Sequence, residues 1–167
     1  NRGFTLIEMV VVIVLAGILT AVAFSRAPSK GQLTINGQAE QLAADLRYAQ
    51  TLVQTTGQWI CVDFTATGYR LLTSSIPSSR CDTNGETAAG LTGLIVLDGI
   101  TLQIPPLNLP SNRLAFGDKG VPYTNTTGTP LPDSGAQITL MGEGGPIVVY
   151  VSTETGRVCV QSGGSSC

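Results

Sequence analysis

A stretch of 21 residues, Phe4 to Phe24, reads FTLIEMVVVIVLAGILTAVAF and carries one charge, Glu8. A run this apolar must be covered by lipid or by protein, since contiguous exposed apolar surface of that extent is not stable in water. As a helix rising about 1.5 Å per residue it spans roughly 31 Å, close to the thickness of a bilayer core. Arg2 flanks one end, and Arg26 and Lys30 flank the other. The balance of positive charge therefore gives no orientation.

Three readings fit the run. As a secretory signal, Arg2 is the basic region and Ala21-Val22-Ala23 the cleavage site. As a plain anchor, the run spans a membrane, with Glu8 about 6 Å along the helix from Phe4 and able to reach the headgroups. The third reading gives Glu8 a task, because an acid within an apolar span costs roughly 2.5–3.5 kcal/mol at the bilayer centre and demands a partner.

The rest of the chain is polar, turn-rich and sparsely charged. The 167 residues hold a net charge of −2, and only 12% of them are charged. No basic field invites nucleic acid, so nucleic acid is not expected as a partner. There is no histidine, which removes the commonest general base and metal ligand. Serine and threonine have no visible base beside them, so no enzymatic activity and no cofactor are expected.

The four cysteines, Cys61, Cys81, Cys159 and Cys167, all lie beyond the apolar run. Their even number points to disulfides in an oxidising compartment. Zinc is the rival, but no pair has C-x-x-C spacing. Three pairings are open; Cys61–Cys81 with Cys159–Cys167 is preferred because each closes a short loop. The cysteines also orient the span, placing the residues C-terminal to it on the oxidising side.

The residues Gly3-Phe4-Thr5-Leu6-Ile7-Glu8, continued by Met9 to Phe24, resemble the class III signal of type IV pilins and type II secretion pseudopilins. The resemblance implies that a prepilin peptidase cuts between Gly3 and Phe4 and that the new Phe4 amine is methylated. It also implies that Glu8 pairs with the Phe4 amine of a neighbouring subunit. A buried carboxylate with one defined partner would set register in a filament core, as lone polar groups do in coiled coils. Residues 1–3 are then the remnant of a leader, 4–27 a transmembrane and filament-core helix, and 28–167 a periplasmic or extracellular head. The expected partners are other pilin or pseudopilin subunits, the prepilin peptidase and an inner-membrane assembly platform. The expected location is the inner membrane, then a pilus or pseudopilus. Many family members carry a proline near position 25; here the first is Pro28, with Gly31 close behind.

Beyond the run, Ile35, Ala39, Leu42, Leu46, Ala49 and Val53 recur at alternating steps of four and three. That spacing predicts an amphipathic helix over about 33–56, packed on a sheet and stopped by Gly57. Strands are expected at Trp59–Phe64, Tyr69–Thr73, Leu94–Leu97, Ile100–Ile104, Arg113–Phe116, Ala136–Met141, Ile147–Ser152 and Arg157–Gln161. Residues 77–93 and 107–132 read as loops or weakly structured insertions. The fold class is therefore α+β: a long N-terminal helix, membrane-spanning and then amphipathic, on a small antiparallel β-rich head.

This layout resembles the minor pilin and pseudopilin group typified by FimT, FimU and the H-type pseudopilin. The residues are Leu46-Arg47-Tyr48-Ala49-Gln50, the strand led by Trp59, Leu114 to Pro122, and Thr155-Gly156-Arg157-Val158. A haemagglutinin-type pilus subunit is a close alternative.

Three further features have a bland and a sharp reading. Asp82, Asn84 and Glu86 alternate like calcium ligands, but the run lacks the twelve-residue pattern and reads first as a polar loop. Gly142 to Gly145 lacks the lysine of a phosphate loop and reads as a hairpin turn. Arg47, Arg70, Arg80, Arg113 and Arg157 form either a DNA-binding patch or scattered solvated charges, and the alternative function is a membrane-anchored binding module whose head takes DNA, a secreted substrate or a surface.

Overall fold

The computed structural model describes residues 5–25, 29–73, 86–87, 93–124 and 128–161. The side chains at 21–25, 86–87 and 118 lie outside that description. Two compact units divide the chain, Asn1–Lys30 and Gly31–Cys167.

The first unit holds helix α1, Leu6–Ser25. Helix α2, Lys30–Thr56, belongs to the second unit from Gly31 on and starts three residues before the periodicity suggests. All six residues of the expected stripe are buried, and Ala43 joins them. The helix stops where a left-handed residue is needed: Gly57 has φ 68° and donates to the Val53 carbonyl at 2.9 Å.

Among the described residues, the remainder of the second unit holds ten antiparallel strands. They are β1 (Ile60–Thr65), β2 (Gly68–Thr73), β3 (Glu86–Thr87), β4 (Ile95–Val96), β5 (Thr101–Leu102), β6 (Arg113–Phe116), β7 (Pro122–Tyr123), β8 (Ala136–Met141), β9 (Ile147–Val151) and β10 (Val158–Gln161). One sheet runs β3-β2-β1-β6-β7, with β4 also paired to β2. The other runs β10-β9-β8-β5. Strands β6 and β8 match their expected bounds, and the other six expected strands shift by a residue or two at the ends. Strand β3 lies within residues 77–93, expected as a loop, because β2 offers Leu72 and Thr73 as an edge to pair with. The 107–132 stretch is more ordered than its composition suggests. It contains β7, whose Pro122 and Tyr123 pair with Phe116 and Ala115.

One core joins α2 to both sheets. Ile60, Val62 and Phe64 of β1 point into it, as do Ile138 and Leu140 of β8 and Val149 and Val151 of β9. The opposite face of β1 is also covered. There Cys61 sits with Trp59, Leu72 and Ala115 in a second cluster, against which Tyr123 packs. The Trp59 and Tyr123 rings lie 4.8 Å apart, a contact worth about 1 kcal/mol beyond area burial. Strand β1 is thus buried on both sides over its first five residues, and the one charge among them, Asp63, needs a partner there. Helix α2 is pinned to β2 by a buried polar contact: the Tyr69 hydroxyl donates to Asp45 Oδ2 at 2.5 Å. Burial, and then the Asp45 carboxylate, hold the Tyr69 phenol well above its usual pKa.

Candidate functional site

Helix α1 begins on a cap. The Thr5 hydroxyl accepts from the Glu8 amide at 3.4 Å, and the Thr5 carbonyl accepts from the amides of Glu8 at 3.1 Å and Met9 at 3.3 Å. Thr5-Leu6-Ile7-Glu8 has the T-x-x-E spacing of a capping box, so Glu8 occupies the third helical position. A carboxylate there also faces the positive end of the helix dipole. The T-x-x-E pattern was legible in the sequence beside the apolar run, and it gives Glu8 a local role that a partner-seeking reading overlooks.

Past the cap, α1 is apolar on every side. Each large apolar side chain described from Leu6 to Leu19 is at least 47% exposed, and Leu6 reaches 83%. Covering such side chains is worth about 1.5–3 kcal/mol apiece. The Thr20 hydroxyl is satisfied within the helix by the Ala16 carbonyl, at 2.7 Å. Among the described residues no helix is long and apolar enough to cross a membrane. The side chains of α1 are described only through Thr20, four residues before the apolar run of the sequence ends.

Gly3 and Phe4, the expected cleavage and methylation positions, lie outside the described residues. So do Cys81, Cys167, Asp82 and Asn84, while Glu86 is described only as backbone, paired with Thr73 in β3. Among the described residues no group of three or more His, Cys, Asp or Glu side chains is placed to hold a metal. Cys61 and Cys159 are disulfide-bonded, and there is no free cysteine among the described residues.

The arginines have structural work. Arg113 reaches Asp63 through both Nε and Nη2, the latter at 2.8 Å, and the two side chains are only 12% and 11% exposed. Arg70 adds a contact to the same carboxylate at 3.1 Å. Arg47 donates twice to the Val158 carbonyl, at 3.0 and 3.3 Å. Arg80 lies outside the described residues, and Arg157 is exposed. Three of the five arginines, Arg47, Arg70 and Arg113, are thus engaged within the head.

The head motifs instead converge on one seam. Gln50 of α2 donates to the Gly120 carbonyl at 3.1 Å and the Thr155 carbonyl at 2.6 Å. Gln54 donates to the Lys119 carbonyl at 3.3 Å. A Cβ on Gly120 would lie 2.7 Å from Gln50 Cγ, and one on Gly156 would lie 2.7 Å from both Gln50 Nε2 and the Gly120 carbonyl. Both glycines also hold φ above 60°. One polar flank of α2 thereby ties the loop after β6 to the turn before β10, joining the two sheets.

Residues 1–24 match the family model described as the prokaryotic N-terminal methylation motif. Neither the curated proteins nor the solved structures contain a match to the chain. The motif indicates a pilin-like or pseudopilin-like, prepilin-processed N-terminus, and with it a structural rather than a catalytic protein.

Proposed function

We propose that the chain is a minor pilin or pseudopilin, a structural subunit of a type IV pilus or a type II secretion pseudopilus. Prepilin peptidase cuts between Gly3 and Phe4, and the exposed Phe4 amine is methylated. Residues 4–27 hold the subunit in the inner membrane, with the head from 28 to 167 on the far side. They then leave the lipid to pack against the same helices of other subunits on an inner-membrane assembly platform. Glu8 meets the Phe4 amine of the next subunit. Moving the rod from lipid into protein changes apolar burial little, so close packing and this one pair must favour the polymer.

The observation that carries the reading is the coincidence of two things over one segment. Residues 1–24 match the methylation motif, and the helix they lead into exposes apolar side chains around its whole circumference. Disulfide bonding of Cys61 and Cys159 supports a head outside the cytoplasm. The two lie on different sheets, each facing away from the shared core, which argues against a Cys61–Cys159 bond; of the two pairings left, Cys61–Cys81 with Cys159–Cys167 closes the shorter loops.

The deciding experiment is mass spectrometry of the exported protein. A mature chain beginning at Phe4 and carrying one added methyl group is expected. A chain beginning at Phe24 would mark a signal peptide and end the filament reading.

A further inference from the structure

The first two turns of α2 are helical against their own composition. Gly31 to Gly37 holds two glycines together with Thr34, Ile35 and Asn36, all below average in helix propensity. The first turn has no acidic residue of its own.

Support for this stretch comes from more than a hundred residues away. The turn between β8 and β9 is closed by the Gly145 amide donating to the Gly142 carbonyl at 3.0 Å. It fits against the helix with no room to spare. A Cβ on Gly144 would lie 2.5 Å from Gln32 Cα and 2.8 Å from Ile35 Cγ2. A Cβ on Gly31 would lie 2.7 Å from Glu143 Cβ. The Glu143 carboxylate also reaches this first turn, with Oε2 3.3 Å from the same point, where negative charge favours a helix start. Ile35, fully buried, is the first core residue of α2, and it is packed by this turn at both Gly142 and Gly144. Further along the helix, Gln38 donates to the Asp98 carbonyl at 2.9 Å.

We propose that Gly31–Gly37 is a conditional helix, locked by the Gly142–Gly145 turn, and that seating or release of this turn sets how much of α2 is rigid. Released, each of the seven residues lengthens from about 1.5 Å to about 3.3 Å, giving roughly 13 Å of slack at the start of the head. The region past Gln38 stays folded, because its side chains enter the main core independently of the turn.

The test is hydrogen exchange, read by mass spectrometry on the full chain in detergent micelles. In Gly144→Ala, exchange at residues 33–37 should rise about tenfold or more while residues 42–53 change little, the signature of local opening. Gly31→Ala sets propensity against the lock: helix propensity alone slows exchange, whereas displacement of Glu143 speeds it. Adding Gly37→Ala to Gly144→Ala should restore protection, since a Cβ there meets nothing. Slower exchange in Gly31→Ala, unchanged exchange in Gly144→Ala, or an equal rise along all of α2 would overturn the proposal.

Discussion

The amide of Glu8 points at the Thr5 hydroxyl, 3.4 Å away, so the second residue after the expected cut is also the cap of the helix behind it. Glu8 gives its amide to that cap, and its carboxylate stands as a charge at the third helical position. Glu8→Gln keeps the capping geometry and removes the charge. If the charge sets filament register, Glu8→Gln should fail to incorporate as fully as Glu8→Ala. Equal incorporation of Glu8→Gln and native subunits, counted in sheared filaments, would reduce Glu8 to a cap. Thr5→Ala should cost the start of α1 about 1 kcal/mol, and Thr5→Ser should recover most of it. Circular dichroism in micelles measures both.

Tyr69 makes stability depend on alkaline pH. Its phenol is held above the ordinary value of about 10 by burial and by Asp45. The folded state then keeps a proton that the unfolded state loses. The contribution is complete below pH 10 and disappears as pH rises past it, by up to about 1.4 kcal/mol per unit. Denaturant titrations between pH 8 and 11 should show this fall, and Tyr69→Phe should flatten it. An unchanged slope in Tyr69→Phe would assign the loss to other groups.

Asp63 is a largely buried acid with two arginines, and the two are not equal. Arg113→Ala leaves the carboxylate with only the half-exposed Arg70 and should cost about 3 kcal/mol. Arg70, with a side chain 47% exposed, should cost at most about 1 kcal/mol. A loss of DNA retention after charge reversal at these two positions would thus report unfolding of the head unless stability is measured alongside it. Thermal melts of both single variants decide the ranking.

Gln50 joins two sheets through two carbonyls. Gln50→Ala should cost about 1 kcal/mol, since two carbonyls, one part-buried and one exposed, lose their donor. Gly156→Ala should cost at least as much, because its Cβ has no space and its φ of 64° is strained for alanine. Leu33, exposed on the same helix, is the neutral comparison. Urea midpoints for the three variants give the order.

Peptide mapping without reduction should recover Cys61 joined to Cys81 and Cys159 joined to Cys167. A peptide linking Cys61 to Cys159 would require two sheets to meet through their outer faces, and would contradict the register around both residues.

How far the sequence carries differs by element, for physical reasons. The stripe from Ile35 to Val53 was legible because a helix on a sheet repeats one demand every turn. β6 and β8 were legible as short runs rich in apolar and β-branched residues between turn residues. β7 was not: it is two residues long, begins with proline, and exists only because β6 offers an edge to Pro122 and Tyr123. The role of Arg113 was hidden for a similar reason, since its partner lies 50 positions away and no local pattern announces it. The converging motifs around Gln50 could be seen as separate words, but only folding places Gly120 and Gly156 under one side chain.

Helix α1 has no greasy side and no wet side, so partition between oil and water is indifferent to its rotation about the long axis. An amphipathic helix is told which way to face; this one is told nothing. Its azimuth must come from a directional bond or from the interlocking of neighbours' shapes, and Glu8 is the sole charge along Leu6–Ser25 that can serve as a compass point.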